Sequence, residues 1–412
     1  MKKNLKLGVF GFGCVGQGLY HVLNETKGLK AEIKKIVVKH PEKQRPIPAE
    51  YFAYDRNEIL NDSEIDVVVE LIDDAEAAFE ILKESLKRRK AVVTANKKML
   101  AEHLQEIFEL QQQYQTPVLY EGAVCASIPI IRNLEEYYDN DLIKSIEGIM
   151  NGSTNYILTK VFEERKSYGD ALRAAQELGF AESDPSLDVK AFDPNFKLTI
   201  LIAHAFGVIV KPETIINFGI DRISDTDLKY ARENGYTIKL IGRAFKKDGV
   251  VYGLVAPQLV DEHHPLAVVR NEYNAVLVEG AFAEKQTFIG KGAGSYPTGS
   301  AVLSDISALT YDYRYEYKKV HQNSLTPDDK VSFSNDASVE VIVSFSNGEV
   351  SAKHFISVTS GYRSGSKEYI RGQVELDQIA KWAGKDNVSV LLAEGAVVKS
   401  TIKKEELVTV LK

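Results

Sequence analysis

Residues 5–16 read LKLGVFGFGCVG, a short apolar run followed at once by three glycines in the spacing G-x-G-x-x-G. The apolar run predicts a buried strand, and residues 15–24 after it have a helical pattern. In this strand–turn–helix setting the first glycine permits a tight turn, the second lets backbone approach a pyrophosphate, and the third lets the helix pack closely on the strand. The alternative is a glycine turn without a ligand. The predicted dinucleotide contacts are Gly11, Gly13, Cys14, Val15 and Gly16.

Apolar runs and helical patterns continue to alternate up to about residue 130. Because strands joined by helices form parallel sheets, and such sheets are buried on both faces, we predict an α/β fold. Its first part is a Rossmann-type parallel-sheet dinucleotide-binding domain over residues 1–130. The further predicted strands are 33–38, 67–72, 91–94 and 117–120, and the further predicted helices are 75–89 and 97–114.

The rhythm changes after residue 130 to longer helical patterns and then strand-like runs. This predicts an α+β substrate and dimerisation domain over residues 131–294, and we expect the active site in the cleft between it and the first domain. The predicted helices are 154–165, 169–178 and 194–206, and the predicted strands are 236–245, 250–260 and 273–278.

The last third of the chain contains several further segments. A glycine-dense loop at 290–294 leads to a helical run at 301–309, and residues 295–312 are expected to rejoin the first domain. The polar stretch 323–329 is typical of a linker. Residues 331–412 then predict a small C-terminal α+β domain, with strands at 338–345 and 387–393 and a helix at 376–382.

Composition excludes several classes of protein. The 412 residues are 44% apolar and 26% charged, with a net charge of -7 and no basic stripe, so nucleic-acid binding is not expected. No apolar run is long enough for a membrane span. The two cysteines, Cys14 and Cys125, form neither a metal motif nor a disulfide framework, and the basic N-terminus leads into a first strand rather than a signal peptide. We expect a cytoplasmic enzyme with a small-molecule substrate.

The residue after the second strand indicates the cofactor. A carboxylate there would bind the ribose 2′-hydroxyl of NAD, whereas a cation tolerates the 2′-phosphate of NADP. The chain has Val38-Lys39-His40 and no acid at this position. Lys39 therefore favours NADP, with NAD also possible and a merely solvated lysine as the alternative reading.

An acid-rich segment lies at residues 182–193, where four carboxylates fall within 12 residues and are suited to hold an ammonium group. Asp193-Pro194 is also a common helix start, with aspartate as N-cap. Asp193 and Lys197 are four residues apart, however, and can project from one helix face. A partly desolvated lysine can pass a proton to or from an alcohol oxygen, so Lys197 is the first candidate for catalysis. Lys97, at the end of a parallel strand, is the second, and a solvated lysine is its alternative.

Motifs from about residue 5 to residue 310 resemble those of the homoserine dehydrogenase family. Their agreement in order over so long a stretch makes the resemblance specific. The motifs are the glycine turn at 11–16, VVTANK at 92–97, YEGAV at 120–124, NGSTNYIL at 151–158, LDV at 187–189 with Asp193 and Lys197, AFG at 205–207, Gly219-Ile220, HPL at 264–266 and the glycine-dense loop at 290–294.

The resemblance implies reversible reduction of L-aspartate 4-semialdehyde to L-homoserine, on the route to threonine and methionine, by a homodimer. It also implies a role for individual residues. Lys197 would be the catalytic lysine, Asp193 its companion, and Lys97 would lie near the nicotinamide. Further implied roles are substrate binding by Glu182, Asp188 and Ser153, cofactor binding by Thr94, Lys97 and Gly292, and a sodium site at the backbone oxygens of Glu121, Val124, Ala126 and Ile128.

The chain departs from the family pattern at several positions. Phe180 stands where relatives usually have tyrosine, so one hydroxyl facing the substrate is missing. Ser153 replaces threonine but keeps a hydroxyl. Lys291 replaces a proline in the glycine-dense loop and can alter how that loop meets the nicotinamide. Ala126 and Ser127 replace two glycines in the sodium segment.

Residues 331–412 stand where many relatives carry an amino-acid-binding regulatory domain, but the Asp-x-Pro-Gly turn that usually opens it is not found. An unrecognised α+β domain is the simpler reading, and a diverged amino-acid sensor that confers threonine feedback is the alternative.

Two other functions compete with the main one. An aldehyde dehydrogenase on the same fold would need a nucleophilic cysteine with a nearby histidine, and Cys125 has no obvious one. A dinucleotide-binding sensor without catalysis would have no need of Lys97, Asp193 and Lys197 together.

Overall fold

The computed structural model describes residues 4–140, 142–325, 330–346, 348–364, 367–393 and 399–400. The chain forms two compact units, each built from two stretches of sequence. The first unit contains residues Met1–Tyr137 and Gly290–Tyr317, and the second contains residues Tyr138–Ile289 and Lys318–Lys412. None of the helices in the described ranges is both long enough and apolar enough to cross a membrane.

The strands in the described ranges are, in chain order, β1 Leu5–Phe10, β2 Ala31–Val37, β3 Phe52–Ala53, β4 Val67–Glu70, β5 Ala91–Thr94, β6 Val118–Leu119, β7 Ile143–Ile149, β8 Ile216–Asn217, β9 Thr237–Lys247, β10 Val250–Val260, β11 Tyr273–Gly280, β12 Glu284–Lys291, β13 Ser332–Phe333, β14 Ala337–Phe345, β15 Ser357–Ser364, β16 Lys367–Glu375, β17 Val388–Leu392 and β18 Lys399–Ser400.

The α-helices in the same ranges are α1 Cys14–Glu25, α2 Asn57–Leu60, α3 Ala75–Lys87, α4 Lys97–Tyr114, α5 Ile130–Glu136, α6 Gly152–Glu163, α7 Tyr168–Glu177, α8 Ser186–Val189, α9 Phe192–Phe206, α10 Asp225–Glu233, α11 Ser295–Leu309, α12 Lys318–Leu325 and α13 Leu376–Ala383.

The first unit is built on a six-stranded sheet in the order β3-β2-β1-β4-β5-β6. Every neighbouring pair is parallel. This order is that of a dinucleotide-binding sheet, with the switch point between β1 and β4. The central strands β4 and β5 are short and mostly apolar because both of their faces are covered, and β4 is buried along its whole length. The predicted Rossmann-type fold is confirmed.

Helix α11 returns to the first unit and packs tightly against α1. A Cβ atom on Gly18 would lie 2.0 Å from the backbone oxygen of Ser295, and one on Gly299 would lie 2.6 Å from the carbonyl carbon of Gly18. The Ser295 hydroxyl also donates to the backbone oxygen of Cys14 over 2.7 Å. Two glycines therefore permit a backbone contact that fixes α11 beside the helix of the glycine turn.

The second unit contains a mixed sheet in the order β12-β11-β7-β9-β10-β17-β14-β16-β15. Helix α9 packs on β9 and β10, and its residues from Asp193 to Phe206 are all buried. The described residues after 331 continue this sheet, because β17 pairs with β10, and they share its core through Trp382. Whether residues 331–412 fold as a separate domain stays a prediction.

Two local predictions need correction. The predicted linker at 323–329 begins inside α12, where the Asn323 amide donates to the Gly207 and Val331 oxygens, while residues 326–329 lie outside the described ranges. Helix α11 begins at Ser295, six residues before the predicted start. Pro297 does not prevent this, because it lies in the first turn, where proline is tolerated.

Candidate active site

The glycine turn joins β1 to α1, and each glycine in it has a distinct environment. Gly11 has φ +94°, and a Cβ atom there would lie 2.5 Å from the Leu71 oxygen. A Cβ atom on Gly16 would lie 2.7 Å from the Gly11 oxygen. Around Gly13, in contrast, such an atom would find nothing within 4 Å. Gly11 and Gly16 are therefore needed by the fold, while Gly13 leaves space for a ligand.

The N-terminus of α1 is suited to an anion. Its N-cap residue, Gly13, supplies no side-chain cap, and the first turn, which holds Cys14 and Val15, carries no acid. The backbone N–H groups of a helix start and the helix dipole favour a negatively charged group such as a phosphate. The five cofactor contacts predicted in the glycine turn thus lie at the junction of β1 and α1, with open space around Gly13.

Lys39 follows β2 and is well exposed, with 71% of its side chain accessible. Its Nζ atom lies 4.0 Å from Oδ2 of Asp74, the residue that caps α3. Arg45, which the sequence reasoning missed, donates to the His40 and Lys43 oxygens, and its guanidinium lies 5.0 Å from the ring centre of Phe52. The segment that follows β2 therefore contains three cations, Lys39, Lys43 and Arg45.

The carboxyl ends of β4 and β5 form a buried polar network that the sequence reasoning also missed. Glu70, the last residue of β4, is 0% exposed, and Thr94, the last residue of β5, donates its hydroxyl to Glu70 Oε2 over 2.5 Å. Asn96 then caps α4, whose first residue is Lys97. Thr94 and Lys97 are both predicted cofactor contacts. They lie on either side of Asn96, the residue that caps α4.

In the second unit, Lys197 and Asp193 form a buried ion pair on the first turns of α9. The Lys197 Nζ atom lies 2.9 Å from Asp193 Oδ2 and donates to the Met150 oxygen over 2.6 Å. Both side chains are almost fully buried. The predicted juxtaposition of a carboxylate and an amine on one helix face is present.

The reading of Asp193 as an N-cap is wrong. The helix begins one residue earlier, at Phe192, and its N-cap is Ala191, which has a left-handed backbone with φ 65° and no capping side chain. A buried alanine in this conformation is strained. Asp193 therefore lies inside the first turn, and its carboxylate is directed to Lys197 and Asn151 rather than to the helix N–H groups.

Asn151 joins the two halves of this site, although in the sequence it stood out only as part of the NGSTNYIL motif and had no predicted role. Its Nδ2 group donates to Asp188 Oδ1 over 2.7 Å and to Asp193 Oδ2 over 2.8 Å. Its Oδ1 atom accepts from the Thr154 N–H and caps α6. Since both amide hydrogens bind carboxylates, Asn151 holds Asp188 and Asp193 side by side.

The remaining predicted substrate residues differ in exposure. Glu182 is exposed, and its backbone oxygen accepts from Gln176. The exposed Asp184 accepts from the hydroxyl and the N–H of Ser186, which lower the pKa of its carboxyl. Ser153 is buried and donates its hydroxyl to the Phe180 oxygen. Of the acid-rich segment, Asp188 and Asp193 meet at Asn151, while Glu182 and Asp184 do not join this network.

The segment predicted for sodium is buried in the first unit. Its backbone is unusual, because Cys125 and Ala126 both have left-handed φ values, 54° and 39°. The Glu121 carboxylate accepts from the N–H groups of Ile131 and Arg132 at the start of α5. The loop is buried and contains backbone oxygens, which hard cations prefer as ligands, but the Glu121 and Ile128 oxygens already accept from the N–H groups of Val124 and Ile130.

Asp305 and Glu121 form a second buried acidic pair beside this segment. Asp305 accepts from the Glu121 N–H and is paired with Arg132, whose Nη2 atom lies 3.1 Å from Oδ1. Burial, with the charge of Asp305, raises the pKa of Glu121 to about 8, and burial raises that of Asp305 to about 7. Both carboxyls are therefore costly to ionise.

The glycine-dense loop contacts the same segment. Both the N–H and the hydroxyl of Ser127 donate to the Lys291 oxygen, over 3.1 and 2.9 Å. Gly292 is buried, whereas the Lys291 side chain is exposed. The departure from the family pattern at residue 291 thus adds a charge at the surface, and the backbone of that residue supports Ser127.

Two family models match the chain in consecutive stretches. The NAD-binding-domain model of homoserine dehydrogenase matches residues 11–121, and the homoserine dehydrogenase model matches residues 129–307. Together with the parallel sheet and the open glycine turn, these matches define an oxidoreductase with an NAD-binding domain.

Relatives with known names narrow this class. The chain is 37% identical to a homoserine dehydrogenase of Bacillus subtilis, over 76% of this chain and 74% of that protein. It is 33% identical to one of Neisseria gonorrhoeae, over 97% and 90%. A solved homoserine dehydrogenase from Thiobacillus denitrificans superposes with a TM-score of 0.80 at 29% identity, covering 95% of this chain and 98% of that one. The chain belongs to the homoserine dehydrogenase family.

Family membership favours the main reading over its two rivals, the thiol-dependent aldehyde dehydrogenase and the sensor without catalysis. The cysteine that the first rival would need, Cys125, is fully buried.

Proposed function

We propose that Lys197 is the proton-transfer group for interconversion of L-homoserine and L-aspartate 4-semialdehyde. The observation that carries this proposal is the buried Lys197–Asp193 pair on α9. An ammonium has three hydrogens, and two of them bind Asp193 and the Met150 oxygen, so the third can reach a substrate oxygen. In reduction Lys197 gives a proton to the aldehyde oxygen, and in oxidation it takes the proton from the alcohol. The bound nicotinamide supplies or accepts the hydride.

The carboxylate of Asp193 acts by keeping the amine in place through the ion pair. Asn151 fixes the same carboxylate from the other side. The two contacts together support a fixed direction for the lysine hydrogen that moves.

We propose that Asp188 and Glu182 bind the ammonium group of the amino-acid substrate, with Ser153 supporting the site. Asp188 accepts a hydrogen bond from the same Asn151 Nδ2 group that donates to Asp193, which supports this role. Ser153 acts by holding the Phe180 backbone, since its hydroxyl is donated there. This support does not require the tyrosine hydroxyl that Phe180 lacks.

For the cofactor we propose NADP over NAD, with Lys39 beside the 2′-phosphate and with Thr94, Lys97 and Gly292 near the nicotinamide half. Arg45, in the segment after β2, adds a further cation there. A solved hyperthermophilic archaeal relative, 25% identical with a TM-score of 0.64, is described as a mutant in complex with NADPH. We also propose sodium at the oxygens of Glu121, Val124, Ala126 and Ile128.

The same resemblance leads us to propose a cytoplasmic homodimer that acts on the route to threonine and methionine. Threonine feedback through residues 331–412 is a hypothesis, and unchanged activity in saturating threonine would count against it.

The experiment that tests the proposed function follows homoserine-dependent reduction of NADP and of NAD by the purified protein. We expect activity with both or with NADP alone. If the protein reduces neither NADP nor NAD with homoserine, the proposed reaction is contradicted.

A further inference from the structure

Glu70 lies at the end of β4 and is completely buried, although glutamate is rarely fully buried without a partner. Both of its carboxylate oxygens accept hydrogen bonds. Oε1 accepts from the Ile72 N–H over 2.7 Å, and Oε2 accepts from the Thr94 hydroxyl over 2.5 Å. Glu70 is therefore a buried carboxylate with a hydrogen-bond partner on each oxygen.

The Thr94 hydroxyl extends this network to the start of α4. It gives its only hydrogen to Glu70 and accepts from the Asn96 N–H over 3.0 Å. The Asn96 side chain donates to the Ile72 oxygen over 3.0 Å and caps the Met99 N–H over 2.9 Å. Glu70 thus ties the loop after β4 to the loop that presents Lys97.

The same loop forms the wall of the glycine turn. Glu70 pairs with Phe10, the last residue of β1, and the Leu71 N–H donates to the Phe10 oxygen over 2.8 Å. The Leu71 oxygen is the atom that a Cβ on Gly11 would strike. A shift of the loop after β4 would therefore move the backbone against which the turn is packed.

The donors around Glu70 match its ionised form, because both oxygens accept and the Thr94 hydroxyl already accepts from Asn96. Burial raises the pKa of Glu70 to about 7, and the charge of Asp73 on the following loop adds to this rise, while the bonds from Thr94 and Ile72 lower it. Of the neighbouring strands, β1 brings Phe10 and β5 brings Thr94. A proton on Glu70 would reverse the bond to Thr94.

We propose that Glu70 is a positioning residue for the dinucleotide: through Thr94 and the Ile72 amide, its carboxylate holds the glycine turn and the start of α4 in the binding arrangement. This inference rests on the proposed cofactor site. It assigns to a buried carboxylate a contribution to affinity without any contact with the ligand.

The test measures the dissociation constant of NADPH at several pH values for the full chain and for Glu70→Gln, a variant of the same size. At pH 8.5 we expect about tenfold weaker binding by the variant, since a hydrogen bond to a charged group is lost. At pH 5.5 the ratio should approach one, because the native Glu70 is then protonated. Comparing ratios removes the titration of the ligand phosphate.

Three further variants keep the test decisive if Glu70→Gln unfolds. Thr94→Val removes the same bond and should weaken binding at pH 8.5, whereas Thr94→Ser keeps the hydroxyl and should restore near-native affinity. Because Thr94 is also a proposed cofactor contact, the loss in Thr94→Val should be smaller at pH 5.5, and an equal loss at both pH values would count against the inference. Glu58→Gln, at an exposed glutamate on α2, should change nothing. A merely structural role would not give a ratio that depends on pH or a rescue by serine.

A Glu70→Gln protein that binds NADPH as tightly as the native protein across this range would overturn the inference. So would equal losses in Thr94→Ser and Thr94→Val. Homoserine oxidation is followed in the same samples. Native NADPH binding without homoserine oxidation would contradict only the proposed reaction, and the pH-dependent ratio would still confirm the role of Glu70.

Discussion

The Nζ atom of Lys197 lies 2.9 Å from Oδ2 of Asp193, one helical turn away on α9, and both side chains are almost fully buried. A pair of this kind is costly to bury unless its geometry is well satisfied. Here Lys197 also donates to the Met150 oxygen and Asp193 Oδ2 also accepts from Asn151, while Asp193 Oδ1 has no hydrogen-bond partner within the described residues. Groups outside α9 therefore help to hold the pair in place. The role of each residue can be tested by its own substitution.

Asn151→Asp should impair turnover more than folding. The variant keeps the oxygen that caps α6 but replaces the donor to Asp188 and Asp193 with a third carboxylate. Charge repulsion and the lost bonds should lower kcat/KM for homoserine by about 100-fold, which corresponds to about 2.7 kcal/mol. Steady-state kinetics measure this. Asn234→Asp, at the exposed end of α10, is the control, and native kinetics in Asn151→Asp would refute the bridging role.

Gly13→Ala and Gly18→Ala should separate binding from folding within α1 and its N-cap. The Cβ atom on Gly13 has open space, so the free energy of unfolding should change by less than about 0.5 kcal/mol while NADPH affinity falls about tenfold or more. The Cβ atom on Gly18 strikes the Ser295 oxygen, so Gly18→Ala should lose about 3 kcal/mol of stability.

Urea unfolding and NADPH titration of both variants check these expectations, with Gly28→Ala, which has open space, as the control. Native affinity in Gly13→Ala would mean that the cofactor does not approach this turn. Native stability in Gly18→Ala would mean that α11 does not lie so close to α1.

Lys39→Ala should affect one cofactor only. A lysine beside a phosphate forms a charge-assisted bond, so the KM for NADP should rise about tenfold, while the KM for NAD should stay within about twofold. Kinetics with both cofactors, and with Lys27→Ala as an exposed control, measure the difference. Equal changes for NADP and NAD would show that Lys39 is solvated rather than bound to a 2′-phosphate.

The buried carboxyls of Glu121 and Asp305 predict a pH dependence of stability. In the folded chain their pKa values are about 8 and about 7, above the ordinary 4.5 and 3.8. Between about pH 4.5 and pH 8 the unfolded chain has lost these protons and the folded chain retains them, so the free energy of unfolding falls as pH rises. The fall from this pair should be on the order of several kcal/mol, at most about 9 kcal/mol, and should level off above pH 8.

Urea unfolding at pH 5, 6, 7 and 8 tests this for the native chain and for Asp305→Asn, which should flatten part of the profile. Asp312→Asn, at an exposed turn, is the matched control. An Asp305→Asn profile parallel to the native one would show that Asp305 is ionised throughout.

Much of the fold could be predicted because many of its helices and strands follow local patterns of apolar residues. Strands β1, β5 and β10 and helix α4 begin and end where their apolar patterns do. Strand β12 was missed because it is largely exposed and polar, and β16 because its pairing, rather than its composition, fixes it as a strand. The local pattern of hydrophobic residues does not show which strand will pair with a given segment.

The candidate site could be predicted where residues four apart share a helix face, as Asp193 and Lys197 do. Glu70 and Asn151 could not be predicted by such reasoning, because their partners come from other elements. Glu70 meets Thr94 only through the order of the parallel sheet, and Asn151 meets Asp193 across 42 residues of chain. The incorrect N-cap at Asp193 has a similar cause, since the left-handed Ala191 is imposed by its buried surroundings rather than by its own preference.

The most direct test of the account is homoserine oxidation by Lys197→Ala, with Lys229→Ala, an exposed lysine on α10, as the matched control. If Lys197 transfers the proton, kcat should fall by a factor of about 100 to 10,000 in Lys197→Ala while NADPH still binds, and the control should keep native kcat. A Lys197→Ala protein that folds and oxidises homoserine at the native rate would contradict the central claim.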